Sequence, residues 1–579
     1  MPGPGQQPSG EEKKEGVAEA APKTQAQLPT LPALPAAKGR RKRWKLIEID
    51  GYFRMRTDWM KNFHEGFIDN PAVGGAPFPR ALGCTSTVTG APCEDALSST
   101  NMRLRLEPTI NLDEGTSIHI QADVLDNLVL GSTPINESYG YNYDSASTDP
   151  TLRPPLGAFG NNQGVPTAGV NSDRDSIQIK RAWGELAVPL GILKFGRMPN
   201  HWGMGIWANS GGYDPIAGTY DLDADYGDTV DRVSFSALIP GTNLRAMVAS
   251  DWASTRLVSN QTSSGRGREG HPWDLDDNDD ANGWTFVLSR MDSPQEFKDK
   301  IDRGDLAFNY GAYFEYKTQS FDDDITGFTQ GGTFDSATRY LARDYKTYSP
   351  SLWAKLGIGR VTLEAELVGN LGKIGRLDEY GFTDQADIRK YGGAGRMIWR
   401  GLEGKLRLGV EGGFATGDQY DNTPAGNTNI AFANLIGDKS DTKLTQFIFN
   451  RDYKIDMILW RHLFGAVTNA AYAKPFLSYD LTKSIMFKVA NITSFALKPV
   501  ATPGNSKMYG TEFNADLGYS ANGLFAGISY GVLFPFGAMS HPADDAGGSY
   551  GFSSDDVIGN NIRDAETSHI IQSRLVLQF

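Results

Sequence analysis

Arginines and carboxylates recur in this chain two residues apart, set between apolar neighbours, and that spacing decides what they can do. Arg54, Arg56, Arg103, Arg105, Arg232, Arg245, Arg407 and Arg574 share the pattern with Glu107, Asp123, Glu315, Glu364, Glu366, Glu411, Glu512 and Asp516. Side chains alternate across a strand, so these residues stand on one face and the apolar ones on the other. An arginine turned to lipid at mid-membrane costs about 2–4 kcal/mol, so a charged face of this kind must meet water. Two roles suit it. The charges pair along a wall and stiffen it, or they form a polar track for a charged or sugar-like solute. Their mixed signs argue against a strongly ion-selective filter, which needs a ring of one sign.

Other chemistry-bearing residues fall in polar, Gly-rich segments. Asp221, Asp223, Asp225, Asp228 and Asp231 form one acidic cluster, and Asp274, Asp276, Asp277, Asn278, Asp279 and Asp280 form another. Calcium takes six to eight oxygens, and carboxylates at alternate loop positions supply them. Neither cluster has the EF-hand spacing with its terminal Glu, so solvated acidic loops are the alternative. No cofactor is required by any motif, and Ca2+ in these loops is the one metal the sequence suggests. Cys84 and Cys93 lie close together in a segment rich in Gly, Pro, Ser and Thr. They read as a loop disulfide made in an oxidising compartment, with two free thiols as the alternative. The histidines at 64, 119, 201, 271, 462, 541 and 569 show no motif spacing with Ser or Asp. No His-Glu-x-x-His or P-loop is present, so an enzyme is not expected.

The elements that must position these residues are strands. Hydrophobic residues make up 40% of the chain and the mean hydropathy is -0.38, and no stretch approaches the roughly 18 apolar residues of a transmembrane helix. A membrane-crossing strand needs only about 9–11 residues, half of them polar. Alternating segments of that kind recur from Ile47 to Phe579, about 18 in all. The links between them alternate short and long. Asn111 to Gly115, Pro189 to Gly191, Pro240 to Thr242, Gly359-Arg360, Gly401 to Gly404, Thr482 to Ser484 and Ser520 to Gly523 are tight turns. One link on the same side, Asp292 to Asp305, is longer, and Ser293-Pro294-Gln295-Glu296 within it predicts a helix start. The long links are polar, Gly-rich and acidic. Short turns on one rim, long loops on the other and an even strand count predict an all-β, antiparallel up-and-down transmembrane β-barrel over residues 46–579. A β-propeller or β-helix would repeat a motif at a fixed period, and none is present.

Residues 1–45 read as a disordered Pro- and Ala-rich periplasmic tail ending in a basic run, Lys38, Arg40, Arg41, Lys42, Arg43 and Lys45. That run is either a solvated flank or a contact for anionic lipid, cell wall or a periplasmic partner. The net charge of -13 argues against nucleic-acid binding. The opening Met1-Pro2-Gly3-Pro4-Gly5 has no apolar core of export length, so export implies a signal removed ahead of it.

The final segment, Ile571 to Phe579, places Ile571, Ser573, Leu575, Leu577 and Phe579 on one face, and resembles the assembly signal of bacterial outer-membrane barrels. Phe195-Gly196-Arg197-Met198-Pro199 with Trp202-Gly203-Met204-Gly205 resembles a strand end of large outer-membrane barrels, in particular those of myxobacteria and related delta-proteobacteria, and Asp228 to Arg232 and Asn450 to Asp456 add to the likeness. In strand count the chain is similar to the 18-stranded alginate-export porins. The resemblance implies residence in the outer membrane, with its lipid and lipopolysaccharide and the barrel-assembly machinery as partners. It implies a channel giving passive passage to polar solutes or an extended polysaccharide. The alternative is a surface receptor, adhesin or structural barrel with a lumen plugged by its own loops. The link that begins at about Gly417 is the candidate for an inward fold, because its apolar run Ile455, Met457, Ile458, Leu459 and Trp460 would not sit bare in solvent.

Overall fold

The computed structural model describes residues 45–63, 65–66, 96–129, 177–211, 213–214, 219–220, 227–253, 280–323, 340–376, 385–418, 442–502, 504–540 and 564–579. Eighteen long strands close into one antiparallel barrel. They are β1 (Ile47–Lys61), β2 (Ala96–Asn111), β3 (Thr116–Val129), β4 (Ile177–Val188), β5 (Gly191–Pro199), β6 (Thr229–Leu238), β7 (Arg245–Ala253), β8 (Ala281–Arg290) and β9 (Ala307–Asp323). The second half is β10 (Tyr340–Ile358), β11 (Val361–Ile374), β12 (Ala386–Gly401), β13 (Leu406–Ala415), β14 (Ala470–Asp480), β15 (Ile485–Ala496), β16 (Met508–Ala521), β17 (Leu524–Pro535) and β18 (Ser568–Gln578). Each pairs with the next, and β18 returns to β1 with Gln578 opposite Tyr52 and His569 opposite Lys61. The terminal Phe579 completes the seam, exchanging two backbone hydrogen bonds of 3.1 Å with Gly51. A two-residue strand, Lys443–Leu444, adds to β12 in parallel.

The burial pattern is that of a soluble protein turned inside out. On β11, Leu363 and Leu367 are exposed while Glu366 between them is fully buried; on β16, Phe513 and Leu517 are exposed and Glu512 is buried. The outer face is an apolar band, including Trp284, Phe286 and Leu288 on β8 and Leu575 and Leu577 on β18. All eight links between β2–β3, β4–β5, β6–β7, β8–β9, β10–β11, β12–β13, β14–β15 and β16–β17 fall on one rim, and the long ones on the other.

Each strand expected from the alternation is present. The largest difference is at β10: the sequence alternation is clear only from Leu352 on, and the strand begins at Tyr340. Pro350 marks where the sequence pattern stops, because proline has no N–H for the ladder. The strand continues through it: Pro350 pairs with Phe314 on one side, and the ladder to β11 skips from Tyr348 to Ser351. The helix expected at Ser293 is α1 (Pro294–Asp302). The Ser293 hydroxyl accepts from Glu296 N at 3.2 Å and the Glu296 carboxylate accepts from Ser293 N at 2.8 Å, a complete capping box. Its Phe297 is buried with the Lys355 ammonium 5.7 Å above the ring.

Candidate functional site: a charged lumen crossed by two docked loops

The charged residues singled out above lie on the strand faces opposite the exposed apolar band. Arg54, Arg56, Arg103, Arg105, Asp123, Arg232, Glu366, Glu411 and Glu512 are buried; Glu107, Arg245, Glu364, Arg407, Asp516 and Arg574 are half-buried. Many are joined across neighbouring strands. Arg105 grips Asp123 with two bonds of 2.6 and 2.7 Å, with Arg103 4.0 Å and Lys180 3.3 Å from the same carboxylate. Arg232 makes a matching fork on Asp251 at 2.5 and 2.7 Å. Arg407 meets Asp480 at 2.5 Å, and Arg56 meets Asp58 along the same strand at 2.9 Å. Arg54 donates to Asn101, and Arg574 to Ser529, which in turn bonds Asp516. Glu364 and Glu411 share Arg396, which lies 3.3 Å from one and 3.5 Å from the other. Forked arginine–carboxylate pairs of this kind fix both geometry and charge.

Glu366 and Glu512 stand apart, because each receives a loop. The segment after β5 turns into the barrel, and Glu366 Oε2 accepts from Met204 N at 2.7 Å, Gly205 N at 3.0 Å and Ile206 N at 3.4 Å. Trp202 Nε1 donates to Ser351 at 2.9 Å, and Trp207 Nε1 to Glu315 at 3.1 Å. The link after β13 does the same on another part of the wall. Glu512 accepts from Met457 N at 2.8 Å, Ile458 N at 3.0 Å and Leu459 N at 3.0 Å. Trp460 Nε1 donates to Ser494 at 3.0 Å. Leu459–Leu463 is a π-helical turn whose start is held by Asp456, which accepts from Trp460 N and Arg461 N. Successive N–H groups converging on one carboxylate form an anion-binding nest, here filled by a side chain of the wall.

The loops also hold each other. Asn450 N donates to Ile206 O at 2.9 Å, and Asn450 Nδ2 to Asp228 at 2.6 Å. Gly227 N donates to Asp452. Burial, and then the nearby charge of Asp452, push the Asp228 carboxyl up to about 6. Burial likewise pushes Asp456 up to about 6. Around this clasp the loops pack an apolar core inside the lumen, with Trp202, Ile206, Phe447, Phe449, Ile458 and Trp460 buried against Tyr313, Trp353 and Tyr509 of the wall.

The link after Phe414 therefore folds inward as expected, and its apolar run is buried. The loop after β5 was not identified as an inward one. Its signal was in the chain: Trp202, Met204, Ile206, Trp207 and Ala208 form an apolar run within a long polar link, the same mark that exposed the other loop. Arg396, Asp251 and Asp452 were also missed. Of the acidic cluster that begins at Asp221, Asp228 joins the clasp and Asp231 pairs with Arg197 at 2.6 Å. Asp221, Asp223, Asp225, Asp274, Asp276, Asn278, Cys84, Cys93 and the tail through residue 44 lie outside the described residues.

No family model matches the chain, and no curated protein matches it. Solved structures similar to it include outer-membrane channels and porins. The DcaP channel of Acinetobacter baumannii is 11% identical, with a TM-score of 0.36 over 92% of this chain and 97% of that one. A BenF-like porin from Pseudomonas fluorescens Pf-5 is 10% identical, with a TM-score of 0.42 over 92% and 99%. OccAB3 of Acinetobacter baumannii is 10% identical, with a TM-score of 0.43 over 92% and 100%. At such identities and scores the reading of function rests on this chain's own geometry.

Proposed function

We propose that the protein is an outer-membrane channel giving passive passage to polar solutes through a lumen narrowed by its two docked loops. The apolar outer band calls for lipid, and a closed barrel leaves no unpaired strand edge there. With the short links in the periplasm, both docked loops enter from the outside. The observation that carries the conduit is the half-buried inward charge at Glu107, Arg245, Glu364, Arg407, Asp516 and Arg574. Groups of both signs with part of their surface accessible call for water in the lumen, since an uncompensated charge in a dry core is strongly unfavourable. A barrel of about 16–18 strands is wide enough for an aqueous path. An extended polysaccharide, in keeping with the strand count shared with alginate-export porins, is one cargo this reading admits.

A second reading, a receptor or structural barrel with a plugged lumen, is favoured by one specific observation, the apolar core that the loops build inside the barrel. Single-channel conductance in planar bilayers separates the two. The channel reading expects discrete conductance in the full chain and a larger one when residues Asp441 to Asp456 are deleted. Near-zero conductance in both forms would overturn it in favour of the plug.

A further inference from the structure

Away from the docked loops, at the short-link mouth, the inward faces of β2–β5 hold a cluster that the lumen-wall pairing does not account for. The His119 and Trp183 rings stack with centroids 4.8 Å apart and planes 14° from parallel. They sit directly opposite each other on β3 and β4. Thr109 and Ser117 hydroxyls lie 3.1 and 2.9 Å from the two nitrogens of His119. Glu185 stands 3.8 Å from His119 and 2.9 Å from the Lys194 ammonium. The His119, Glu185 and Lys194 side chains keep 25%, 19% and 17% of their surface exposed, so the cluster opens to the lumen. Opposite Trp183 on β5 stands Gly196 at φ 118°, where a Cβ would come within 3.0 Å of the Trp183 backbone. No side chain covers the cluster from that position.

We propose that this cluster is a recognition station for a hydroxyl-rich sugar ring passing the mouth. The inference rests on the conduit reading and names a class of solute for it. An aromatic face flanked by a few placed polar groups is the usual make-up of a small-ligand site. The charges choose the class. Glu185 and Lys194 neutralise each other, so the station offers no net positive charge to an anionic aromatic. It presents carboxylate, ammonium and hydroxyl groups side by side, which suits hydroxyls that both donate and accept. The apolar C–H face of a pyranose then lies on the ring pair.

The test uses the purified full chain with maltohexaose as probe, read by calorimetry in detergent and by current interruptions in planar bilayers. The expected result is saturable binding that weakens about tenfold, or about 1.4 kcal/mol, in Trp183→Ala and in His119→Ala. Trp183→Phe should retain most of it, and Trp284→Ala, on the outer face, all of it. Heat-modified gel mobility identifies any variant that fails to fold, and if Trp183→Ala is one, His119→Ala carries the comparison with Trp284→Ala, equal binding by those two overturning the proposal. Absence of calorimetric binding to the parent chain would overturn the proposal, as would equal binding by Trp183→Ala. Trp183-dependent interruptions by benzoate but not by maltohexaose would overturn the sugar class. A parent chain that binds maltohexaose yet passes no current would refute the conduit and leave the station standing.

Discussion

The two docked loops solve one problem by different local means. Glu366 on β11 and Glu512 on β16 each receive three backbone N–H groups, and each works with a serine on the preceding strand that takes a tryptophan indole. The register matches too. Ser351 lies opposite Val368, and Ser494 opposite Gly510, in both cases one same-face step from the glutamate toward the long-loop rim. The segments that dock there share no such pattern. The first bends with glycine: Gly203 has φ 57° and Gly205 φ 88°, and a Cβ on Gly203 would meet Glu366 Oε2 at 2.7 Å. The second has no glycine at its nest. It uses a π-helical turn and the Asp456 carboxylate, which supplies acceptors for the N–H groups that the turn leaves over. The wall side of a dock is thus specified by two residue types, a glutamate and a serine, at fixed register. The loop side supplies a tryptophan indole and three backbone N–H groups pointing the same way, and either backbone freedom or a side-chain cap aligns those groups.

Breaking the wall side should have the largest effect. Glu512→Ala leaves three buried donors without an acceptor, at about 1–3 kcal/mol each. We expect the loop to leave the wall, with a severalfold rise in single-channel conductance and new protease cleavage near residue 457. Glu366→Ala should do the same near residue 205. Equal conductance in either variant and the parent would show that the apolar core alone holds the loops. Next in size is Gly203→Ala. It places a side chain at positive φ and against the carboxylate, a strain of about 1–3 kcal/mol, whereas Leu459→Ala in the other nest loses only packing. Thermal unfolding followed by gel mobility should show the first dock sensitive to backbone and the second not.

Trp202→Phe and Trp460→Phe each remove one indole hydrogen bond, about 0.5–1.5 kcal/mol. If the clasp at Asn450 couples the docks, the double variant will be less destabilised than the sum of the two singles. Strict additivity would mean that the loops dock independently. The smallest effect expected is on pH. Asp228 and Asp456 have carboxyls raised by burial in the docked state, so their contribution to docking is full below the ordinary carboxylate range and is lost as pH rises through about 6. Conductance should therefore rise modestly as pH increases through that value. Asp228→Asn should flatten part of the rise, and a conductance that falls over the same interval would refute this sign.

Much of the architecture was legible from the chain. Alternation at Leu363-Glu364-Ala365-Glu366-Leu367 allows only a strand with one dry and one wet face. Links such as Gly359-Arg360 are too short to reach anything but the neighbouring strand. The capping box at Ser293 and the seam formed by Phe579 were likewise local signals with local consequences. The strand through Pro350 was not legible, because the neighbours that keep it in the ladder are set by pairing with β9.

Sequence alone determined which residues share a strand face, because parity along a strand is a local property and holds along every strand. Only the tertiary structure decided what those residues do. Glu364 and Glu366 are two positions apart and alike by every sequence measure, yet one pairs with Arg396 and the other holds a loop that starts some 160 residues earlier in the chain. The physical reason is that closing the barrel brings strands and loops from distant parts of the chain into one narrow space. A buried carboxylate there takes whichever donors the fold delivers to it, and strand parity carries no record of which those are.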